Sequence, residues 1–356
     1  MEKILVINPG STSTKVALFI GENEEWAENI NHTQEELAPF LTVYNQIDFR
    51  KNLVLKALRK HGQNVDELDA IASRGGPFAP VKGGAYEIND AMIEKIMKDP
   101  VDYHVSLIGA VIAQQIAVSI GKKAYIYDAV SVDEMDPLNK VTGLPSMMRR
   151  GQGHNLNMRS AAIQYCKMHG KDYHKGTFIV SHLGGGISVS LHRDGRIVDI
   201  IPDEDGCFAP NRAGELPQSQ LVDFCFEGHT KQEVMDLLKN KGGLVAWLGT
   251  NDTRDVEKMI ASGNEKASFI YDAMALSVAR NIGKEAATAS GKIDQIILTG
   301  GIAKSKLFDD MVANRVSWIA SVSVVPGENE MSALALGVLR VLRGSEVAQL
   351  YQAPKS

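Results

Sequence analysis

A duplicated α/β protein of two lobes is predicted by three features of the sequence. First, Ile4-Leu5-Val6-Ile7 and Val16-Ala17-Leu18-Phe19-Ile20 are apolar runs of strand length on either side of a polar turn, Asn8-Pro9-Gly10-Ser11-Thr12-Ser13-Thr14-Lys15. Second, the arrangement recurs. Phe178-Ile179-Val180 leads into Ser181-His182-Leu183-Gly184-Gly185-Gly186, an alternating run follows from Ile187 to Leu191, and an Asp194-Gly195 hairpin turn returns the chain through Ile197 to Ile201. Third, further apolar runs end in glycine- or charge-bearing turns, the edge at which open α/β sheets place ligands. The expected site is a central cleft between the two repeated turns. Arg149-Arg150-Gly151-Gln152-Gly153 marks the boundary, giving lobes 1–150 and 151–330, with a terminal helix over about 331–356 packing back on the first lobe.

The chain has 356 residues, ample for two buried cores. Its 44% hydrophobic and 23% charged residues exclude disorder. A net charge of -5, with Lys and Arg scattered along the chain, excludes a nucleic-acid footprint. Cys166, Cys207 and Cys225 show neither paired-thiol nor zinc spacing, which fits a reducing cytoplasm. The apolar residues before Asn8 are too few for a secretory core. The stretch 105–120 is interrupted by Ser106, Gln114, Gln115 and Ser119, so it reads as a buried helix and not a membrane span. Small molecules are therefore the expected partners.

Along the first lobe, Trp26 to Thr33 supplies a third strand. A helix follows in which Leu53, Leu55, Ala57 and Leu58 lie among Arg50, Lys51, Lys56, Arg59 and Lys60, and Gly62 closes it. Ala70-Ile71-Ala72 is a strand entering Ser73-Arg74-Gly75-Gly76-Pro77, and His104 opens the apolar helix. Ala124 to Tyr127 is a strand ending in Asp128, either a ligand-placing acid or a plain turn residue. In the second lobe His154-Asn155 precedes a helix, and Asn211-Arg212-Ala213-Gly214 lies in an irregular stretch. The helix from about 264 to 289 carries Ile270, Met274, Val278 and Ile282 as a packing stripe. Ile296-Ile297-Leu298 ends in Thr299-Gly300-Gly301, which offers N–H groups to a nucleotide, and Glu328 and Glu330 follow the last strand.

The P-loop pattern, the dinucleotide fingerprint, the nucleophile elbow and the two-histidine zinc motif are all absent from the sequence. What remains is glycine turns, hydroxyls, a lysine, two arginines and carboxylates at loop ends, the set that phosphoryl transfer uses. Taken together, Asn8 to Lys15, Ser73-Arg74-Gly75-Gly76, His104, Asp128, His154, His182 to Gly186, Asn211 to Gly214, Thr299 to Ile302 and Glu330 resemble the acetate and butyrate kinase family. That family belongs to a superfamily shared with sugar kinases, chaperones and actin. The resemblance implies two ribonuclease H-like (actin/hexokinase-type) domains and direct in-line transfer of the γ-phosphoryl group of ATP to a carboxylate. Arg74-Gly75-Gly76-Pro77-Phe78, Asp128-Ala129-Val130-Ser131 and the Gly184-Gly185-Gly186 triplet depart from the acetate pattern toward the butyrate branch. An aliphatic acid larger than acetate is thus the implied substrate, with acetate or propionate, or a sugar hydroxyl, as alternatives.

By the same resemblance, Arg74 and Arg212 neutralise the carboxylate and the equatorial oxygens, and His154 and His182 donate hydrogen bonds to the group in transfer. Asn8, Ser11, Ser13 and Lys15 hold phosphates and the waters of Mg²⁺. Asp128 and Glu330, with Asn8, serve the metal, and Glu328 rivals Glu330 for that role. Gly184, Gly185, Gly186, Gly300 and Gly301 receive ATP or ADP. A cytoplasmic homodimer or larger homo-oligomer is implied.

Overall fold

A computed structural model describes residues 1–353. Its strands are β1 (Lys3–Pro9), β2 (Ser13–Ile20), β3 (Asn23–Asn31), β4 (Ala70–Arg74), β5 (Ala85–Glu87), β6 (Lys123–Tyr127), β7 (Thr177–Leu183), β8 (Ile187–Arg193), β9 (Arg196–Ile201), β10 (Gln295–Gly300), β11 (Val322–Pro326) and β12 (Gln349–Leu350). They form two sheets, ordered β12-β5-β6-β4-β1-β2-β3 and β11-β10-β7-β8-β9.

The duplication read from the sequence is visible in strand order and sense. In the first sheet β1, β2 and β3 pair antiparallel, and β4 and then β6 add in parallel. In the second, β7, β8 and β9 pair antiparallel, and β10 and then β11 add in parallel. Even the irregularities correspond, since the register shifts between Leu18 and Phe19 in one sheet and between Leu191 and His192 in the other. A bulge at that point bends the outer hairpin of each sheet.

The chain divides into two compact units, residues 1–133 with 329–356, and 134–328. The division falls at 133/134 and not at 150/151. Residues 134–150 are tied to β9: Asp136 N–H donates to the Val198 carbonyl, Asn139 reaches the same carbonyl, and Arg149 Nη2 donates to the Ile200 carbonyl. The glycines at 151 and 153 therefore lie inside the second unit, which moves the boundary upstream. The terminal helix spans Glu330–Leu342, shorter than expected. Gly344 in the left-handed region (φ 72°) follows its end, and the chain then pairs β12 with β5. Residues 354–356 of the expected helix lie outside the described residues.

Alternation along the strands fills both faces of each sheet. In the first unit Leu5, Ile7, Val16 and Leu18 pack into a core with Val54 and Leu58 of the helix Ile47–Lys60 and with the helix Leu107–Ser119. In the second, Ile179, Val189 and Leu191 meet the helix Glu265–Thr288, whose Ile270, Met274, Val278 and Ile282 are all buried. Phe178, Val180 and Ile297, facing the other way, meet the helix Asn155–Met168. Among the described residues no helix is long and apolar enough to cross a membrane.

One buried group breaks this apolar pattern. Glu285, on the helix Glu265–Thr288, is 1% exposed and neither carboxylate oxygen meets a hydrogen-bond partner. It lines a hollow with Asp199, Asp205 and Arg149. Burial, then the Asp199 charge, push its carboxyl well above the usual range against the pull of Arg149. The folded form thus keeps a proton that the unfolded chain releases, so Glu285 lowers stability as pH rises from the ordinary carboxylate value through its raised one. Glu285→Gln removes the titration. In urea denaturation it gains about 1 to 3 kcal/mol over the parent at pH 8 and much less at pH 5. A variant that keeps the parent's pH slope contradicts this account.

Candidate functional site

In the first unit three parallel strands end side by side. Register sets Ile7 of β1 against Ser73 of β4, and Arg74 against Tyr127 of β6. Asn8, Arg74 and Asp128 therefore emerge at neighbouring strand ends, the edge where α/β sheets bind ligands. Antiparallel pairing of β1 with β2 places Lys15 opposite Asn8, and a Gly10 N–H bond to the Ser13 carbonyl (2.8 Å) closes the turn between them.

The chain after Arg74 passes very close to its neighbours. A Cβ at Gly75 would stand 2.7 Å from Ala129 Cβ, and one at Gly76 would stand 2.6 Å from the Leu107 backbone nitrogen. Only glycine permits that path, which keeps the Arg74 loop against the sheet.

Glu330 is the first residue of the helix Glu330–Leu342, whose N-terminal dipole favours a carboxylate. Its Oε2 accepts from Asn8 Nδ2 at 2.8 Å, and its Oε1 pairs with Arg74 Nη1. Burial pushes the Glu330 carboxyl up, but the Arg74 charge and hydrogen bond, the Asn8 amide and Lys15 outweigh it and hold the group below its usual value. Asn8, Ser13, Lys15, Arg74 and Glu330 line a hollow of about 320 Å³. Pro9, Gly10, His104, Ser106 and Val130 complete it. Ser106 N–H donates to His104 Nδ1 (3.2 Å), which leaves the proton of the neutral ring on Nε2.

Two expected residues stand outside this lining. Ser11 is exposed at the tip of the turn, and only its carbonyl is engaged, by Arg50. Asp128 is 2% exposed, held at φ 41°, and its Oδ1 accepts from Gly84 N–H at 2.8 Å. In this structure its carboxylate positions the 84 loop. Among the described residues no group of three or more His, Cys, Asp and Glu side chains is arranged to hold a metal ion.

The second unit builds a matching edge. β7 delivers His182, which is 3% exposed, and the Gly184–Gly186 turn leads into β8. His182 stacks on His154, with ring centroids 3.9 Å apart and planes 9° from parallel. Asn157 Nδ2 donates to His182 Nδ1 (2.8 Å), which places the proton of the neutral ring on Nε2, 3.7 Å from Glu328 Oε1. His154 Nδ1 meets Ser188 Oγ at 2.9 Å. Glu328 and Glu330, two residues apart, thus have different company: His182 for one, Arg74 and Asn8 for the other.

Around the triple glycine, a Cβ on Gly186 would overlap Asp203. Asn211 N–H donates to the Gly185 carbonyl (3.0 Å), joining that turn to the Arg212 loop. Arg212 itself is held by Asp203 (Nε to Oδ2, 3.0 Å) and by the Lys239 carbonyl. Gly300, at φ 95°, lies against the Leu183 backbone where no side chain fits, and Gly301 beside it is open to solvent.

The acetokinase family model matches residues 91–320. The chain belongs to the acetokinase family. Butyrate kinase 2 of Clostridium acetobutylicum is 43% identical over 353 residues, 98% of this chain and 99% of that protein. The acetate kinase of Porphyromonas gingivalis has the same fold at a TM-score of 0.80 and 19% identity, covering 96% of this chain and 100% of that one. A propionate kinase from Francisella tularensis gives 0.76 and 18%, over 94% and 98%. The family resemblance and the two-sheet α/β fold read from the motifs are therefore borne out.

The sequence reading of this acetokinase-family chain missed Arg50, Asn157 and Asp203. Arg50 did leave a signal, since it falls on the buried stripe Ile47, Arg50, Val54, Leu58 of its helix. A charge at a core position asks for a partner. Asn157 and Asp203 act on other side chains and carry no such mark.

Proposed function

We propose that the chain is an ATP-dependent carboxylate kinase acting on butyrate or a similar short- or branched-chain fatty acid. The reaction gives acyl phosphate and ADP, reversibly. The observation that carries this reading is the hollow of the first unit, where Arg74 and Lys15 bring positive charge beside the apolar Pro9 and Val130. That pairing suits an anionic head with a short alkyl tail. The extent of identity to a protein named butyrate kinase 2 favours the longer acid over acetate.

In this reading a carboxylate oxygen attacks the γ-phosphorus in line, the bond to the bridging oxygen breaks, and ADP leaves with its electron pair. Repulsion between two anions is the obstacle. Arg74 neutralises the acceptor, Arg212 the equatorial oxygens of the transferring group, and the Nε2 proton of His182, with His154 stacked behind it, donates to the same oxygens. Asn8, Ser13 and Lys15 hold phosphate, Ser11 through its exposed hydroxyl, and Gly184 to Gly186 with Gly300 and Gly301 receive the nucleotide.

Magnesium fits the donor set. It keeps several waters and takes one or two carboxylates beside substrate phosphates, so a pair of hard oxygen groups, Asn8 and Glu330, suffices. Asp128, at the neighbouring strand end, would join them through the ion's water shell. When bound, the ion screens the phosphate charge. A homodimer working in the cytoplasm belongs to the same proposal.

Hydroxylamine trapping of acyl phosphate, with kcat/KM measured over straight and branched acids of two to six carbons, tests this. We expect a maximum at four or five carbons and acetate lower by roughly 10- to 200-fold. A maximum at acetate or propionate reassigns the substrate. No hydroxamate from any acid, with phosphorylation of a sugar instead, overturns the carboxylate reading.

A further inference from the structure

We propose that Arg50 is a positioning residue that shapes the Asn8–Lys15 turn for phosphate from behind. The inference rests on that turn being the phosphate-holding element of the proposed kinase. Arg50 is fully buried at 0% exposure. Its Nη1 donates to the carbonyls of Gly10 (2.9 Å) and Ser13 (2.8 Å) and to Thr14 Oγ1 (3.0 Å), and its Nη2 reaches the Ser11 carbonyl at 3.3 Å. Its Nε donates to Gln46 Oε1 one helical turn earlier, at 3.0 Å. None of these partners is a carboxylate. Burial lowers the guanidinium to about 10, still cationic at neutral pH.

Two consequences follow from elementary geometry. In a planar trans peptide the C=O and the next N–H point in opposite directions. By drawing the Gly10 and Ser11 carbonyls inward, Arg50 turns the N–H groups of Ser11 and Thr12 away from itself, to the outer side of the turn. The same contacts withdraw carbonyl dipoles that would repel an anion, and they add a positive charge that no acid cancels within the cluster. Lysine substitutes poorly, because a single ammonium in the place of Nη1 leaves the Ser11 carbonyl and Gln46 Oε1, the partners of Nη2 and Nε, without a donor. The Thr14 hydroxyl, also 2.8 Å from His32 Nε2, fixes the far end of the cluster.

The test is titration calorimetry of MgATP together with steady-state kinetics, on the parent, Arg50→Lys, Arg50→Ala and Thr14→Val. We expect Arg50→Ala to weaken MgATP binding and raise its KM by at least about tenfold, with KM for the carboxylate changed less than about twofold. Thr14→Val, which removes one of the contacts, produces a smaller loss in the same direction. Low millimolar guanidinium chloride restores part of the affinity to Arg50→Ala and none to Thr14→Val.

Folded variants with the parent's MgATP affinity and KM overturn the proposal, even if their melting temperatures fall, since that is the pattern of a purely structural residue. Where Arg50→Ala does not fold, Arg50→Lys and Thr14→Val decide by the same readout. Because calorimetry reads binding without turnover, a parent that binds MgATP and phosphorylates no carboxylate counts against the reaction and not against Arg50. A parent that binds no MgATP overturns both.

Discussion

Arg74→Ala is expected to lower kcat for acyl phosphate formation by about 10³-fold or more, the scale on which phosphoryl-transfer enzymes depend on a charge-neutralising arginine. The loss comes from chemistry and needs separating from folding, because Arg74 also balances Glu330. With the arginine gone, Glu330 keeps its burial and loses its largest stabilising partner. In the parent the Glu330 carboxyl is depressed, so its contribution to stability is full above the ordinary carboxylate value and fades as pH falls through the lowered one. In Arg74→Ala the sign reverses, and the variant loses stability as pH rises. Urea denaturation at pH 8 should show a deficit of about 1 to 3 kcal/mol that narrows near pH 4. Adding Glu330→Gln recovers that stability, while kcat stays low because the same carboxylate serves the magnesium ion. A folded Arg74→Ala assayed near pH 5, where the deficit has narrowed, that turns over at the parent's rate shows that Arg74 serves the fold alone.

The elements legible from the sequence were those that announce themselves by local chemistry. Strand, turn, strand, strand is written twice, and both sheets carry it. The site turns were legible because glycine, proline and charge at the ends of apolar runs have few structural uses besides close approach and ligand contact. Arg50 was hidden for a definable reason. Its helix shows Leu53, Leu55, Ala57 and Leu58 among Arg50, Lys51, Lys56, Arg59 and Lys60, where nothing local sets Arg50 apart, whereas the buried stripe runs Ile47, Arg50, Val54, Leu58. Strands β5 and β12 have three and two residues, too short for any period to show. The boundary at 133/134 depends on Asp136, Asn139 and Arg149 bonding β9, contacts between residues about 50 to 60 apart in the chain that no local pattern encodes. Glu328 and Glu330 were indistinguishable in sequence because both flank a helix start. The fold parts them, since the helix begins at Glu330 and aims that residue at Asn8 and Arg74.

Arg212→Ala is the second large effect, with an expected loss of about 10³- to 10⁵-fold in kcat and a KM for ATP within a fewfold of the parent. An arginine that acts on charge present only in the transition state contributes to kcat, whereas one that merely anchors the nucleotide changes KM. Its environment offers a graded way to weaken it. Arg212 is oriented by Asp203, and Gly186 lies so close to Asp203 that an added methyl must displace the carboxylate. Gly186→Ala should therefore act at a distance, disturbing Arg212 through Asp203 with a loss smaller than that of Arg212→Ala. It also costs about 1 to 3 kcal/mol of stability from overpacking. In the double variant the two losses in kcat do not add, since the methyl has no arginine left to misplace, while any effect on the turn's hold on the nucleotide appears in KM for ATP. Additive losses would show that Gly186→Ala acts by another route, whereas near-normal turnover in Arg212→Ala would remove Arg212 from the chemistry and leave its bonds to Asp203 and the Lys239 carbonyl as fasteners of the loop.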